Sequence, residues 1–299
     1  MSSNIKVHFV TSANSKRNYA LRACGVNYML FSALDYIKSG NQGARDFSEL
    51  NELGFRHLIV DSGLFTLMFG SGKGGSYDRE FFRDWMRRIV SFAKSNNLRN
   101  ASYVECDCQK LVGPEFAWEL RREMRELAPE IDFINVFHIE DGTDGFRRLV
   151  DFSDYIAISV PEWRIARTRD FRGIVHKLAV LAKRQKPNVR IHLLGCTEVK
   201  MLAENSFCTT ADSSSWSSPS RYGYLDGVRT GTSSKSGEEG KSSSLIKPEK
   251  LAEYQHAIER EAASHGVKLS GRALLDAARR YPEIKEFLKR YRLAAGGQD

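Results

Sequence analysis

No stretch of this 299-residue chain approaches the roughly 20 consecutive apolar residues that a membrane-spanning helix needs. The amino terminus, MSSNIKVHFV, lacks the charged-then-apolar layout of a secretory signal, so a cytoplasmic protein is expected. Cysteine is sparse. Cys24, Cys106, Cys108, Cys196 and Cys208 are odd in number, and no two stand in CxxC spacing. That argues against a disulfide framework or a zinc site built from thiolates, and small buried thiols are the simpler expectation. No metal and no cofactor is expected. A GxGxxG turn is missing after the first apolar run, where Ser12, Ala13 and Asn14 stand instead. The dinucleotide-binding fingerprint is therefore absent.

What is present is an excess of positive charge. The formal net charge is +8 and the sequence pI about 9.2. Such a surface favours polyanions, because each phosphate contact releases condensed counterions. Its meaning depends on where the charge lies.

Short apolar runs rich in β-branched and aromatic residues alternate with longer amphipathic stretches. The runs are Ile5–Val10, His57–Val60, Ala101–Glu105, Phe133–His138, Tyr155–Val160, Val189–Leu194 and Ser206–Ala211, with a poorly defined eighth around Tyr222–Val228. Near-continuous hydrophobic strands separated by helices indicate a parallel sheet covered on both faces. Asp78 is placed to cap a helix running to about Asn97, with Phe81, Trp85, Ile89 and Phe92 on one face. Pro114 suits the first turn of another that reaches about Ala128. A third, from about Asp170 to Gln185, carries Ile174, Leu178 and Leu181 on one stripe. Seven or eight such units predict an α/β fold, a closed (β/α)8 TIM-like barrel, over residues 1–229; a doubly wound sheet is the alternative. Residues 230–247 are rich in serine and glycine and predict a flexible loop. Residues 248–299 predict a helical extension packed on the barrel. Its last helix, about Gly271–Leu293, bears Arg272, Arg279, Arg280, Lys285, Lys289, Arg290 and Arg292, either as a solvated face or as a ledge for a phosphate backbone.

In a parallel barrel, reactive side chains gather at the carboxyl ends of the strands. Several runs here end in polar groups: Asp61 in LIVDSG, Asp107 in YVECD, His138 in INVFH, Glu162 after IAISVP and Asp212 in CTTAD. Any one can cap the helix that follows, but together they describe a rim crowded with carboxylates. Such a rim suits covalent glycosyl transfer, in which one carboxylate attacks an anomeric carbon and another shuttles protons to the leaving group. Carboxylates also accept hydrogen bonds from the N–H edges of a base. Spacing alone does not distribute these roles.

The segment Asp61-Ser62-Gly63-Leu64-Phe65 resembles the DSGGF motif of tRNA-guanine transglycosylases, with Leu64 in place of the second glycine. Residues 191–216, IHLLGCTEVKMLAENSFCTTADSSSW, resemble that family's late segment, in which a strand, a glycine turn and a short helix lead to the strand carrying the nucleophilic aspartate. The closing DSSSW…SRYG, Asp212 through Gly223, is similar to the compact, often phage-encoded branch that places 7-deazaguanines in DNA. The similarity spans roughly residues 5–225. It implies a base-exchange enzyme with Asp212 as nucleophile at C1′, Asp61 as general acid/base, and Asp107 reading the purine's Watson–Crick edge. Ser62, Gly63 and Phe65 belong to the same motif. His138 stands near the family's glutamine in its GxxQG stretch, and Glu162 matches a glutamate close to the base pocket. Ser159 and Val160 stand near a backbone stretch where the family has glycines and this chain has none. The CxCxxC…H zinc site usual in the tRNA enzymes cannot form, since no cysteine follows Cys208.

Gly63, and likewise Gly195, is expected to let backbone lie against a flat base that a Cβ would obstruct. Phe65, Trp216 and Tyr222 are candidates to stack on an extruded nucleotide, because a base inside a duplex is inaccessible. Arg221, beside Tyr222, joins Arg279 and Lys285 as a candidate phosphate contact. The expectation is exchange of guanine in nucleic acid, DNA rather than tRNA, for a 7-deazaguanine such as preQ0, in the cytoplasm, with a partner protein as one means of strand opening. Two alternatives use the same barrel: a glycosidase or N-glycoside hydrolase acting on small molecules, and a non-catalytic nucleic-acid-binding module.

Overall fold

A computed structural model describes residues 5–12, 17–64, 67, 77–96, 100–166, 169–196, 198–217, 224–225, 228–229 and 248–294. Eight strands pair in sequence order, all parallel: β1 (Lys6–Val10), β2 (Tyr28–Ser32), β3 (His57–Asp61), β4 (Ala101–Val104), β5 (Phe133–Phe137), β6 (Tyr155–Ser159), β7 (Arg190–Leu194) and β8 (Thr210–Ser213). β8 closes on β1, with Lys6 opposite Thr210 and His8 opposite Asp212. The result is a closed (β/α)8 barrel of the TIM type. Among the described residues no helix is long and apolar enough to cross a membrane.

Three expectations about the strands need correcting. The segment Tyr28–Ser32 is a barrel strand that the sequence pattern did not single out: it is short, and it runs into a helix through Ser32, whose hydroxyl accepts from Leu34 N, with no glycine or proline to mark the boundary. Conversely, the described residues of the run expected around Tyr222–Val228 lie outside the barrel. They form a separate antiparallel pair, β9 (Tyr224–Leu225) with β10 (Val228–Arg229). The run expected at Ser206–Ala211 begins later, at Thr210, because residues 205–208 are spent on a turn in which Cys208 N donates to Asn205 O at 2.8 Å.

The helices lie outside the strands: α1 (Arg17–Ala23), α2 (Ala33–Glu52), α3 (Arg79–Asn96), α4 (Gln109–Val112), α5 (Pro114–Leu127), α6 (Gly142–Phe152), α7 (Val160–Ile165), α8 (Phe171–Gln185) and α9 (Val199–Glu204). Asp78 Oδ1 does accept from Phe81 N, at 2.8 Å, at the start of α3. The buried stripe of α3 is Phe82, Trp85, Met86, Ile89, Val90 and Ala93, and that of α8 is Val175, Ala179 and Ala182. In both helices Phe81, Phe92, Ile174, Leu178 and Leu181 flank the contact. In α8 the buried side chains are small or β-branched, which lets that helix lie close to the sheet.

Strand alternation divides each strand between two cores. Residues such as Phe9, Met29, Phe31, Leu58, Val60, Ile156, Ile158, Ile191 and Leu193 pack with the helices. A separate interior cluster holds Leu30, Ile59, Val104, Ile134, Val136, Tyr155 and Ala157. The interior is not wholly apolar, since His8, Ser102, His192 and Thr210 are buried as well. Beyond β8, α10 (Pro248–Ser264) and α11 (Gly271–Ala294) form a hairpin that packs on α1. Phe287 and Tyr291 of α11 meet Phe9 edge-on, with ring centroids 5.4 and 6.2 Å away. The Ser/Gly-rich segment 230–247 lies outside the described residues.

Candidate active site

The carboxyl ends of β3, β4, β5, β6, β7 and β8 bring Asp61, Asp107, His138, Glu162, Gly195 and Asp212 to one end of the barrel. Strand direction accounts for this, because every parallel strand delivers its last residues to the same rim.

Asp61 ends β3. Its Oδ1 accepts from Gly63 N at 2.8 Å, folding the chain back so that Ser62 Oγ donates to Asp107 Oδ1 at 3.2 Å. Trp85 of α3 anchors this turn by donating its Nε1–H to Ser62 O at 3.0 Å. Burial, then the neighbouring Asp107 charge and the charge of Asp212, push the Asp61 carboxyl up to about 7, against the Gly63 N–H that favours its ionised form. Asp61 thus stands close enough to both carboxylates to feel their fields.

Asp107 reaches the mouth because the chain leaves the sheet after β4. Glu105 makes that departure possible. Its Oε2 and Oε1 take Arg121 Nε and Nη2 at 2.7 and 2.6 Å, and they also accept from Asn135 Nδ2 at 2.6 Å and Val136 N at 2.7 Å. Glu105 N makes a further backbone bond to Ile134 O of β5 at 3.0 Å, and the carboxylate then takes the next β5 amide, that of Val136.

His138 stands between two carboxylates, with Nε2 3.3 Å from Asp107 Oδ2 and Nδ1 3.4 Å from Glu162 Oε1. Burial works against a charged imidazole, but the hydrogen bonds to Asp107 and Glu162 prevail and raise His138 to about 10, so it is an imidazolium at neutral pH. Glu162 is pulled below the usual carboxylate range by His138 and by Lys110, whose Nζ lies 2.6 Å from Glu162 Oε1, although burial opposes the shift. His138, Glu140 and Glu162 have potential ligand atoms within 4.8 Å of one another, the nearest approach to a metal-binding set among the described residues. Among these residues Glu162 is also in contact with Lys110 Nζ, so two basic side chains share its carboxylate.

Asp212 is 7% exposed. Gly195 N donates to its Oδ1 at 2.6 Å, and His192 Nε2 lies 3.1 Å from the same oxygen. Gly195 has φ +66° and Gly63 φ +77°, the left-handed region that glycine adopts without strain. The expectation that these glycines make room for a base is corrected by their surroundings. A Cβ on Gly63 would come within 2.5 Å of Leu34 Cβ, and one on Gly195 within 2.7 Å of Pro161 Cγ. Both positions are small because protein, not ligand, fills the space. Gly195 nonetheless serves the site through its N–H.

Of the nucleic-acid-binding candidates, Trp216 is contradicted as a stacking surface. It is 1% exposed, donates Nε1–H to Val10 O at 2.8 Å and packs 6.0 Å from Phe9. The 3-10 turn Ser215–Ser217 folds back over the end of β1 and carries the indole inward, which a serine-rich stretch does not announce. Lys285 pairs with Glu261 of α10 at 3.1 Å, and Arg279 with Asp276 at 3.7 Å. Phe65, Arg221 and Tyr222 lie outside the described residues. The five cysteines are buried free thiols, and burial holds Cys24, Cys196 and Cys208 near 12.

Lys110 and His192 were not singled out from the sequence. Lys110 gives no signal, being one lysine on a short helix. His192 has one: in Arg190-Ile-His-Leu-Leu194 the polar residues alternate with apolar ones, and Thr210 and Asp212 repeat that spacing on the next strand. No protein-family model matches this chain, and no curated protein sequence matches it significantly.

Proposed function

We propose that the protein is a base-exchange transglycosylase that replaces guanine in nucleic acid, DNA in preference to tRNA, by a 7-deazaguanine such as preQ0. The observation that carries the proposal is a pair of acids in contrasting surroundings on one rim. Asp212 Oδ1 accepts from Gly195 N and lies 3.1 Å from His192 Nε2, and Asp61 keeps a proton up to about pH 7. A carboxyl that keeps its proton suits a general acid, and a second carboxyl held by hydrogen bonds beside it suits a nucleophile. The likeness of Asp61–Phe65 and of residues 191–216 to tRNA-guanine transglycosylases supports the choice of base.

In this reading Asp212 Oδ2 attacks C1′ of the target nucleotide as the C1′–N9 bond breaks, and the departing guanine takes the Asp61 proton. The incoming 7-deazaguanine returns its N9 proton to Asp61, bonds C1′ through N9 and expels Asp212 as carboxylate. Asp107 accepts hydrogen bonds from the base. Strand opening, by this protein or a partner, precedes the chemistry, which runs in the cytoplasm.

A second reading, an N-glycoside hydrolase on free nucleosides, is favoured by the pairing of Arg279 and Lys285 with acids of their own hairpin, which leaves less charge for phosphate. Labelled guanine offered with duplex DNA, tRNA or free nucleosides separates the two. Uptake of label into DNA by the native protein and not by Asp212→Asn is expected. Label entering tRNA alone removes the preference for DNA. Release of base from nucleosides with no uptake into either polymer establishes the hydrolase.

A further inference from the structure

The interior polar residues beneath Asp212 form a chain with a single consistent direction. Tyr155 Oη and Thr210 Oγ1 are hydrogen bonded, His192 Nδ1 lies 2.8 Å from Thr210 Oγ1, and His192 Nε2 lies 3.1 Å from Asp212 Oδ1. All of these side chains are buried, with His192 fully so. A carboxylate supplies acceptors alone, so the imidazole nitrogen facing Asp212 carries hydrogen. In the Nε2–H tautomer Nδ1 is an acceptor, and Thr210 donates to it. Thr210 Oγ1 then accepts from the Tyr155 hydroxyl. Every hydrogen in the chain finds an acceptor, and each bond points toward Asp212.

We propose that His192 is a positioning residue for Asp212: the chain Tyr155–Thr210–His192 fixes the Nε2–H form of the imidazole, which with Gly195 N–H holds Oδ1 and turns Oδ2 to the substrate. The proposal rests on the reading of Asp212 as the nucleophile. Its physical content is the same as that of a histidine whose far nitrogen is set by a second partner, a device that fixes both the tautomer and the ring plane. Two donors on one oxygen also fix the carboxylate's rotation, since a swing about Cβ–Cγ would break both. The strand register supplies the spacing: His192 is paired with Thr210 across β7 and β8, and Asp212 follows two residues on, on the same face.

Two measurements test this. The first needs no activity. In the native protein labelled with 15N-histidine, the His192 resonances, assigned by their loss in His192→Gln, are expected to show Nε2 protonated and Nδ1 as a bare acceptor. An Nδ1–H form overturns the proposal. The second is the single-turnover rate of covalent adduct formation with DNA. Thr210→Val leaves His192 in place and is expected to slow the step about 10-fold without changing DNA affinity, while Thr210→Ser restores the native rate; His192→Phe slows it about 100-fold. A Thr210→Val enzyme as fast as the native one overturns the proposal. If the native protein forms no adduct, base exchange is what fails, and the nitrogen spectrum still decides whether the chain runs as described.

Discussion

Among the acids at the mouth of the barrel, Asp61 has the environment least suited to a charge. It is enclosed by the β3 turn and faces Asp107 and Asp212, and its carboxyl is raised to about 7. The unfolded chain releases the same proton near 3.8, so the stability linked to this group is fully present below about pH 3.8 and is lost as pH rises through 7. At about pH 8 the fold therefore carries an unfavourable carboxylate. Asp61→Asn is expected to stabilise the protein there by about 2 kcal/mol, half of what a dry site would give, while slowing the proposed base exchange. Urea midpoints of the two proteins compared at about pH 4 and about pH 8 check it: the gap should open only at the higher pH. A variant less stable than the native protein at both values would show that Asp61 is an ordinary structural carboxylate. A stabilising loss of function is the expected mark of a group kept in place for chemistry.

At the scale of elements, the C-terminal hairpin decides between two uses of positive charge. Lys285 and Tyr281 of α11 both bond Glu261 of α10, Tyr281 Oη at 2.7 Å. Lys285→Glu should therefore cost about 1 kcal/mol of stability, recovered in the double variant with Glu261→Lys. DNA affinity and its salt dependence should remain unchanged in both, as fluorescence titration over a range of salt will show; a shallower salt slope in the single variant would place Lys285 on phosphate instead. The same hairpin makes α11 part of the core, since Phe287 and Tyr291 pack beneath β1 beside Trp216. An arginine-rich sequence shows the charged side of such a helix and hides its packing side.

Taken whole, the molecule has a barrel interior that is partly polar, and this ties stability to acid. His57 Nδ1 and His8 Nε2 are 2.9 Å apart, His57 Nε2 is 3.1 Å from Ser102 Oγ, and Ser102 Oγ donates to Asp132, which Arg190 holds. Burial, despite the opposing charge of Asp132, lowers His57 to about 4, and burial next to His57 and His192 lowers His8 as well. Neutral imidazoles are required, so this contribution is present above pH 6.5 and is lost as pH falls from 6.5 toward 4. The native protein should lose about 3 kcal/mol through His57 across that window, and His57→Gln should flatten the decline. Thermal melts between about pH 4 and about pH 7.5 measure it; parallel curves for the two proteins would discount the histidine pair.

The sequence by itself determined the class of fold and most of the rim. Alternating apolar runs and amphipathic stretches fix a parallel sheet wrapped in helices, and parallel strands send Asp61, Asp107, His138, Glu162 and Asp212 to one end whatever the loops do. Those properties are local and periodic, so they are readable along the chain. Tertiary structure alone decided that Tyr28–Ser32 completes the barrel, that Trp216 turns inward, that Gly63 and Gly195 yield space to Leu34 and Pro161, and that His192 lies under Asp212. Each of these depends on which residues meet across distant strands, and no one-dimensional pattern records the distance between them.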